Sequence, residues 1–265
     1  QEVFYAEEEQ RLRPALEAGL AQAQALSAHM PLDQLLDTLS NGVHFSELNN
    51  LKSVILAPRT APPAKIAQLL VFGARVILVD SAYDDAFDLT IQAADQFGWY
   101  CRNTGYNPFT AEGKKSAGYE IWDWYRSSGF SFPLEKLKLF ISVGDGNIIS
   151  GIHKGFKDLV ALGWIEAPPK IYGIQAEGSA AIANAFFNHN EQIIPVHSQT
   201  LADSIAVDLP RDGVRAVRAA VQTGGRYLVV SDSEILQAIA AMGKAGIFAE
   251  PAGATAYAGL QKAIL

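Results

Sequence analysis

From Lys52 onward, short β-branched runs alternate with stretches of helical period. Ser53 to Ala57 reads as a strand stopped by Pro58, and Ala64 to Phe72 as a helix ended by the C-cap residue Gly73. Ala74 to Val79 is a second strand, and Tyr83 to Phe97 a second helix closed by Gly98. Trp99 to Arg102 reads as a third, buried strand, and Gly113 to Tyr125 as a third helix. Leu137 to Val143 is a strongly apolar strand that runs straight into Gly144, followed by a helix from Ile148 to Leu162. The pattern continues with strand Ile171 to Gln175, helix Ser179 to Phe187, helix Gly213 to Gln222 and strand Tyr227 to Val230. Ser231 and Glu234 form a capping box for the next helix, and Ala252 to Ile264 is the last. Ahead of this region, Ala6 to Met30 spaces Leu12, Leu16, Leu20 and Leu26 at helical intervals, and Pro31 opens a shorter amphipathic stretch to Leu39.

Strands alternating with helices predict an α/β fold, with mostly parallel sheets flanked by helices. Such sheets bind ligands at the carboxyl ends of their strands, where loops turn into helices. The best such position is Val143-Gly144-Asp145-Gly146-Asn147-Ile148. Closely spaced glycines let several N–H groups converge, and the following helix adds its own unpaired amides and positive dipole end. The sum is a cradle sized for a phosphate; the structural alternative is a tight turn with Asp145 or Asn147 capping the helix. Asp145 is a tension, because a carboxylate repels phosphate unless it turns away to a backbone donor. The loop is neither a Walker motif nor the longer dinucleotide fingerprint.

Composition narrows the classes. The chain has 265 residues, 49% apolar and 18% charged, with a net charge of −7. That acidity argues against nucleic-acid binding, which needs clustered Lys and Arg. No apolar run approaches the roughly 20 residues that cross a bilayer, and no basic-then-apolar leader is visible. A cytoplasmic protein whose true start precedes Gln1 is expected. Cys101 is the only cysteine, which excludes an intramolecular disulfide and a cysteine-clustered zinc site. Its aromatic neighbours suggest a packed thiol. His29, His44, His153, His189 and His197 lack metal-ligand spacing, so no metal is expected. His153 falls in the helix behind the glycine loop, where helix packing is the simpler role. Trp122, Trp124 and Tyr125 read as core or interface packing.

The order of several motifs resembles threonine synthase and its relatives among fold-type II pyridoxal-phosphate enzymes, the tryptophan synthase β-like architecture. Lys52-Ser-Val-Ile-Leu-Ala-Pro58 with Ala64-Lys-Ile-Ala-Gln68, and Gly73-Ala-Arg-Val-Ile77 with Tyr83-Asp-Asp-Ala86, are similar to two of its strand–helix pairs. Asn107-Pro108 with Glu112-Gly113-Lys114-Lys115 resembles its Asn-Pro…Glu-Gly-x-Lys segment. The Val143 to Ile148 loop with Gly155-Phe156-Lys157 resembles its phosphate loop and the helix behind it, although the family loop often has one residue more. Gln175-Ala-Glu-Gly178 and Ile247-Phe-Ala-Glu-Pro-Ala-Gly253 complete the set.

This resemblance implies pyridoxal 5'-phosphate as cofactor, held by Gly144, Asp145, Gly146, Asn147 and Ile148, with Glu250 beside the ring. It implies a lyase of amino-acid biosynthesis that converts O-phosphohomoserine and water to threonine and phosphate, in a homodimer. The partner expected is a small phosphorylated amino acid, with no nucleic acid and no membrane. Cysteate synthase-like and threonine dehydratase-like chemistries are the nearest alternatives. Lys114 and Lys115 could meet a substrate phosphate, solvated surface lysines being the plainer reading. The implied lobes are a helical segment over 1–50, a smaller, incomplete lobe over 51–130 and a larger cofactor-binding lobe over 131–265.

The catalytic lysine is unknown. The family's Ser-Phe-Lys-Asp-Arg type segment has no counterpart, and no lysine precedes Lys52. The Ser/Thr-Gly-Asn loop expected before Lys52 and the Thr-Gly-x-Gly-Leu-Lys segment expected beyond Leu265 are also absent. In the favoured account, segments of the cofactor pocket are missing and a chain break lies within Ser40 to Lys52. Two consecutively numbered residues there would then stand well beyond the usual Cα spacing of about 3.8 Å. In the other account the chain is a catalytically silent homologue that binds a phosphorylated metabolite or a partner protein.

Overall fold

The alternation of strand and helix is realised in the computed structural model, which describes residues 52–264. The helices expected before Lys52 and the chain break expected within Ser40 to Lys52 lie outside the described residues. The chain divides into two compact units between Trp99 and Tyr100.

In the first unit, strand β1 (Val54–Pro58) pairs in parallel with β2 (Arg75–Val79). Helix α1 (Pro63–Val71) connects them, and α2 (Tyr83–Phe97) follows. Asp84 and Asp85 lie in the first turn of α2, where carboxylates complement the helix dipole, and Gly98 closes it in the left-handed conformation. The burial is thin: no residue of α1 is buried, and Ile77 is 44% exposed.

The second unit holds α3 (Pro108–Ser127), β3 (Lys138–Ser142), α4 (Asn147–Ala161), β4 (Lys170–Ala176) and α5 (Ala181–Phe187). It continues with α6 (Gly213–Gln222), β5 (Arg226–Val230), α7 (Asp232–Lys244) and α8 (Pro251–Ile264). Its three strands run parallel in the order β3-β4-β5. Alternation along β4 splits the core into two layers. Ile171 joins Phe156 and Leu159 of α4, Ala183 of α5 and Ala216 of α6 on one face. Tyr172, Ile174 and Ala176 join Ile235 of α7 and Ala254 and Ala258 of α8 on the other. Each large apolar side chain fully buried in such layers contributes about 1.5–3 kcal/mol. The capping box expected at α7 is formed: the Glu234 amide donates to Ser231 Oγ (3.2 Å) and the Ser231 amide to Glu234 Oε2 (2.7 Å).

Three expectations are corrected. Trp99 to Arg102 is not a strand. Its aromatic rings are satisfied locally, Trp99 stacking on Phe97 at 5.0 Å, while Tyr100 is 75% exposed. Cys101 is half-buried rather than packed inside a sheet. Helix α3 starts at Pro108, five residues before the position read from its pattern. There the buried Asn107 accepts the Phe109 amide at 2.9 Å and donates to the Cys101 carbonyl at 2.9 Å, and Pro108 suits the first turn. The division into compact units falls ahead of α3, which packs along α4 within the second unit.

Candidate functional site

The glycine loop leaves the carboxyl end of β3 and enters α4 through Gly146, the residue that caps the helix with φ 88° and no side-chain bond. Asp145 Oδ1 accepts the Arg211 amide, and the Asn147 side chain bonds Asp212 and Lys114. Gly144 is needed for closeness, since a Cβ there would lie 2.9 Å from the Ile205 Cα. A Cβ at Gly146 would meet the Ala216 Cβ at 2.7 Å and the Asp212 carbonyl oxygen at 3.1 Å.

The amides of a helix's first turn have no partner within the helix. Here Ser150 is the first whose amide reaches back, to the Gly146 carbonyl at 3.2 Å. The amides of Gly144, Gly146, Asn147, Ile148 and Ile149 find no acceptor among the described residues. Gly146 and Asn147 are buried, Gly144 is half-buried and Ile148 is 52% exposed. A run of unspent N–H donors at a helix's positive end suits a small dianion.

The carboxylate of Asp145 is accounted for. Its Oδ1 accepts the Arg211 amide at 3.2 Å, and its backbone carbonyl accepts the Asp212 amide at 2.9 Å. Val143, just before the loop, is anchored from below: its carbonyl accepts Gln175 Nε2 at 3.3 Å, and Gln175 Oε1 accepts the Ala183 amide at 2.8 Å. One residue earlier, Ser142 Oγ accepts the Ala256 amide of α8 at 2.9 Å. That bond ties β3 to the helix that Glu250 precedes. Glu250 itself is exposed, and its carbonyl accepts the Ala254 amide at the start of α8.

Beneath the loop lies a polar cluster absent from the sequence reading. Asn147 donates through Nδ2 to Asp212 Oδ2 and, at 3.5 Å, to Thr110 Oγ1. Its Oδ1 accepts from Lys114 Nζ. The Asp212 side chain, 1% exposed, also pairs with Arg215. Burial, followed by the nearby Arg102 charge, pushes the Lys114 ammonium below the usual lysine range; Asp212 and Asp145 oppose that shift. Lys115 points elsewhere, to Glu112 at 2.7 Å and Asp158 at 2.8 Å, and those hydrogen bonds raise its affinity for a proton. Its side chain is half-buried between those carboxylates.

His153 is buried in α4, and burial, reinforced by the Lys157 charge, depresses its pKa to about 4. It therefore packs as a neutral ring near neutral pH. Trp122 and Tyr125 are partly buried against the first core layer, with Trp122 tilted on Trp164 at 5.2 Å, so this cluster serves packing. No His, Cys, Asp and Glu grouping suited to a metal occurs among the described residues. No described helix is long and apolar enough to cross a membrane.

The chain is a mixed α/β protein of parallel sheets flanked by helices, with a run of amides at the β3–α4 turn that have no acceptor among the described residues. The chain belongs to the family of pyridoxal-phosphate dependent enzymes, whose profile matches residues 44–265. Its architecture is that of fold-type II members, and the cofactor of the family is pyridoxal 5'-phosphate. The chain is similar to the threonine synthase of Methanocaldococcus jannaschii, 36% identical over 221 residues, which cover 82% of this chain and 53% of that protein. It is 34% identical over 213 residues to the threonine synthase of Methanosarcina acetivorans, covering 80% and 51%. The chain thus spans about half the length of the curated relatives it matches. Among solved structures, the processed form of threonine deaminase isoform 2 from Solanum lycopersicum superposes with a TM-score of 0.65 at 23% identity, over 82% of this chain and 55% of that one.

The loop fits the phosphate end of this cofactor on the observations above: five amides lack acceptors, and Gly144 and Gly146 keep side chains out of the bend. This loop is the one named in the sequence reading, from its glycine spacing and the polarity of the helix that follows. Thr110, Lys114, Arg211, Asp212 and Arg215 were not assembled there. The one available signal was the Asn107-Pro108…Lys114 motif, which marks the start of the helix that carries Thr110 and Lys114.

Proposed function

We propose that the protein of which this chain is part is a pyridoxal-phosphate lyase converting O-phosphohomoserine and water to threonine and phosphate. The observation that carries the reading is the set of unspent amides at the β3–α4 turn, joined to the likeness to two threonine synthases. When bound, the cofactor would supply an electron sink for the electron pairs left on the carbons of an amino-acid substrate as their protons depart. The chain's own residues do the holding. Amides of Gly144, Asp145, Gly146 and Asn147 grip the cofactor phosphate, with Ile148 at the mouth and the positive end of α4 behind it. Asp145 turns its carboxylate to the Arg211 amide, which lessens its opposition to that charge. Glu250, at the entry to α8, lies beside the ring in this reading. The lysine that binds the cofactor covalently is not assigned. We further infer a cytoplasmic homodimer, by the same likeness.

A catalytically silent homologue that binds a phosphorylated metabolite or a partner protein is the second reading. Incubation of the purified protein with pyridoxal phosphate and O-phosphohomoserine separates the two. Equal amounts of threonine and inorganic phosphate are expected. Formation of a keto acid from threonine instead indicates a dehydratase, and a protein that never acquires the visible absorbance of lysine-bound cofactor indicates a silent one.

A further inference from the structure

Lys114 stands where a cation is least expected. Its stem crosses α4 at the second turn, where a Cβ on Gly151 would come within 2.6 Å of the Lys114 Cβ. The side chain then runs one turn back along α4 to bond Asn147, the first residue of that helix. A helix N-terminus already carries partial positive charge, so an ammonium there opposes the dipole. Two carboxylates compensate. Asp212 is buried and shares Asn147 with Lys114, and Asp145 lies in the loop itself. Arg215 neutralises one side of Asp212. The ammonium of Lys114 is the cation joined to the loop through the Asn147 amide group.

We propose that Lys114 is a positioning residue of the phosphate cradle, its ammonium holding Asn147 and offsetting Asp145 and Asp212 so that the loop accepts a dianionic ester. This rests on the reading that the loop grips the cofactor phosphate. Lys114 acts through Asn147 and the local field, and it takes no part in bond making. The network also explains how a loop containing an aspartate can serve an anion, because the negative charge lies beneath the bend and is balanced there.

The test compares Lys114→Gln, which keeps a donor for Asn147 but removes the charge, with Lys114→Arg, which keeps the charge. The probes are pyridoxine 5'-phosphate and pyridoxine, titrated into the full chain by calorimetry; neither forms an imine with a lysine. The native protein is expected to prefer the phosphorylated probe. Lys114→Gln should weaken that probe roughly tenfold or more, the size of one partly screened attraction between charges at an effective dielectric of about 20, and leave pyridoxine unchanged. Lys114→Arg should recover most of the loss. Equal affinity of Lys114→Gln and native protein for the ester overturns the proposal and leaves the cradle standing. So does a parallel loss of both probes, which marks a general loosening of the fold. A native protein indifferent to the phosphate removes the cradle reading itself.

Discussion

Replacement of Gly146 by alanine measures how tightly the phosphate turn is built, independently of any ligand. Two costs apply. At φ 88° a Cβ is strained, which in the left-handed region costs about 1–2 kcal/mol. The Cβ would also sit 2.7 Å from that of Ala216 and 3.1 Å from the Asp212 carbonyl, and such overpacking costs about 1–3 kcal/mol. The reduced freedom of the unfolded chain returns about 0.4–1 kcal/mol. The net expectation is a loss of about 2–4 kcal/mol. Gly163→Ala is the control: its φ is 71°, but a Cβ there meets nothing within 4 Å. It should cost only about 1 kcal/mol, strain less the same unfolded-state gain. Urea unfolding followed by tryptophan fluorescence reads both, since Trp122, Trp124 and Trp164 all lie in the second unit with this turn. Midpoints should shift at constant slope, with Gly146→Ala well below Gly163→Ala. If the two variants unfold together, the packing of Gly146 on α6 is not as described and the tightness of the turn loses its basis.

Two further outcomes test the surrounding frame. Ser231→Ala removes one half of the α7 capping box and should lower stability by about 1 kcal/mol, whereas Ser231→Gly should cost only a few tenths; equal effects would refute the cap. His153 has a depressed folded pKa of about 4, so between that value and its ordinary 6.5 the unfolded chain binds the proton and the folded one does not. Its contribution is present above pH 6.5 and lost as pH falls towards 4, by an amount on the order of 2–3 kcal/mol. Native protein should therefore lose more stability than His153→Gln between pH 7 and pH 4.5 in urea titrations, and parallel pH profiles would refute the buried neutral histidine.

The scaffold was legible where a local rule had no competitor. The Leu137 to Val143 run had to be a strand, and Ser231 with Glu234 had to start a helix, because both signals complete themselves within a few residues. The Trp99 to Arg102 run misled for the same reason that aromatic residues favour strands. Their bulk can equally be covered by a neighbour on the preceding helix, as Phe97 covers Trp99. The amide cradle was legible as donors but not as a charged environment. Lys114 and Asn147 stand 33 residues apart, and Asn147 and Asp212 stand 65 apart. Periodicity carries no information about such pairs. Asp212 illustrates the difficulty, because an aspartate just ahead of a helix reads as its cap, yet here its side chain makes no capping bond to α6.

That same aspartate explains how so short a bend can hold its shape. With one residue fewer than the family loop often has, the turn from β3 to α4 has little freedom to arrange its own hydrogen bonds. The support comes instead from the segment before α6. The Asp212 amide takes the Asp145 carbonyl, the Arg211 amide takes the Asp145 carboxylate, and the Asp212 carboxylate takes the Asn147 side chain. Three bonds to two adjacent residues fix both sides of Gly146; two use acceptors of Asp145 and the third uses the side-chain Nδ2 of Asn147. None of them spends a backbone amide of the loop. A brace that satisfied the donors instead would stabilise the turn equally well and leave nothing with which to bind an anion.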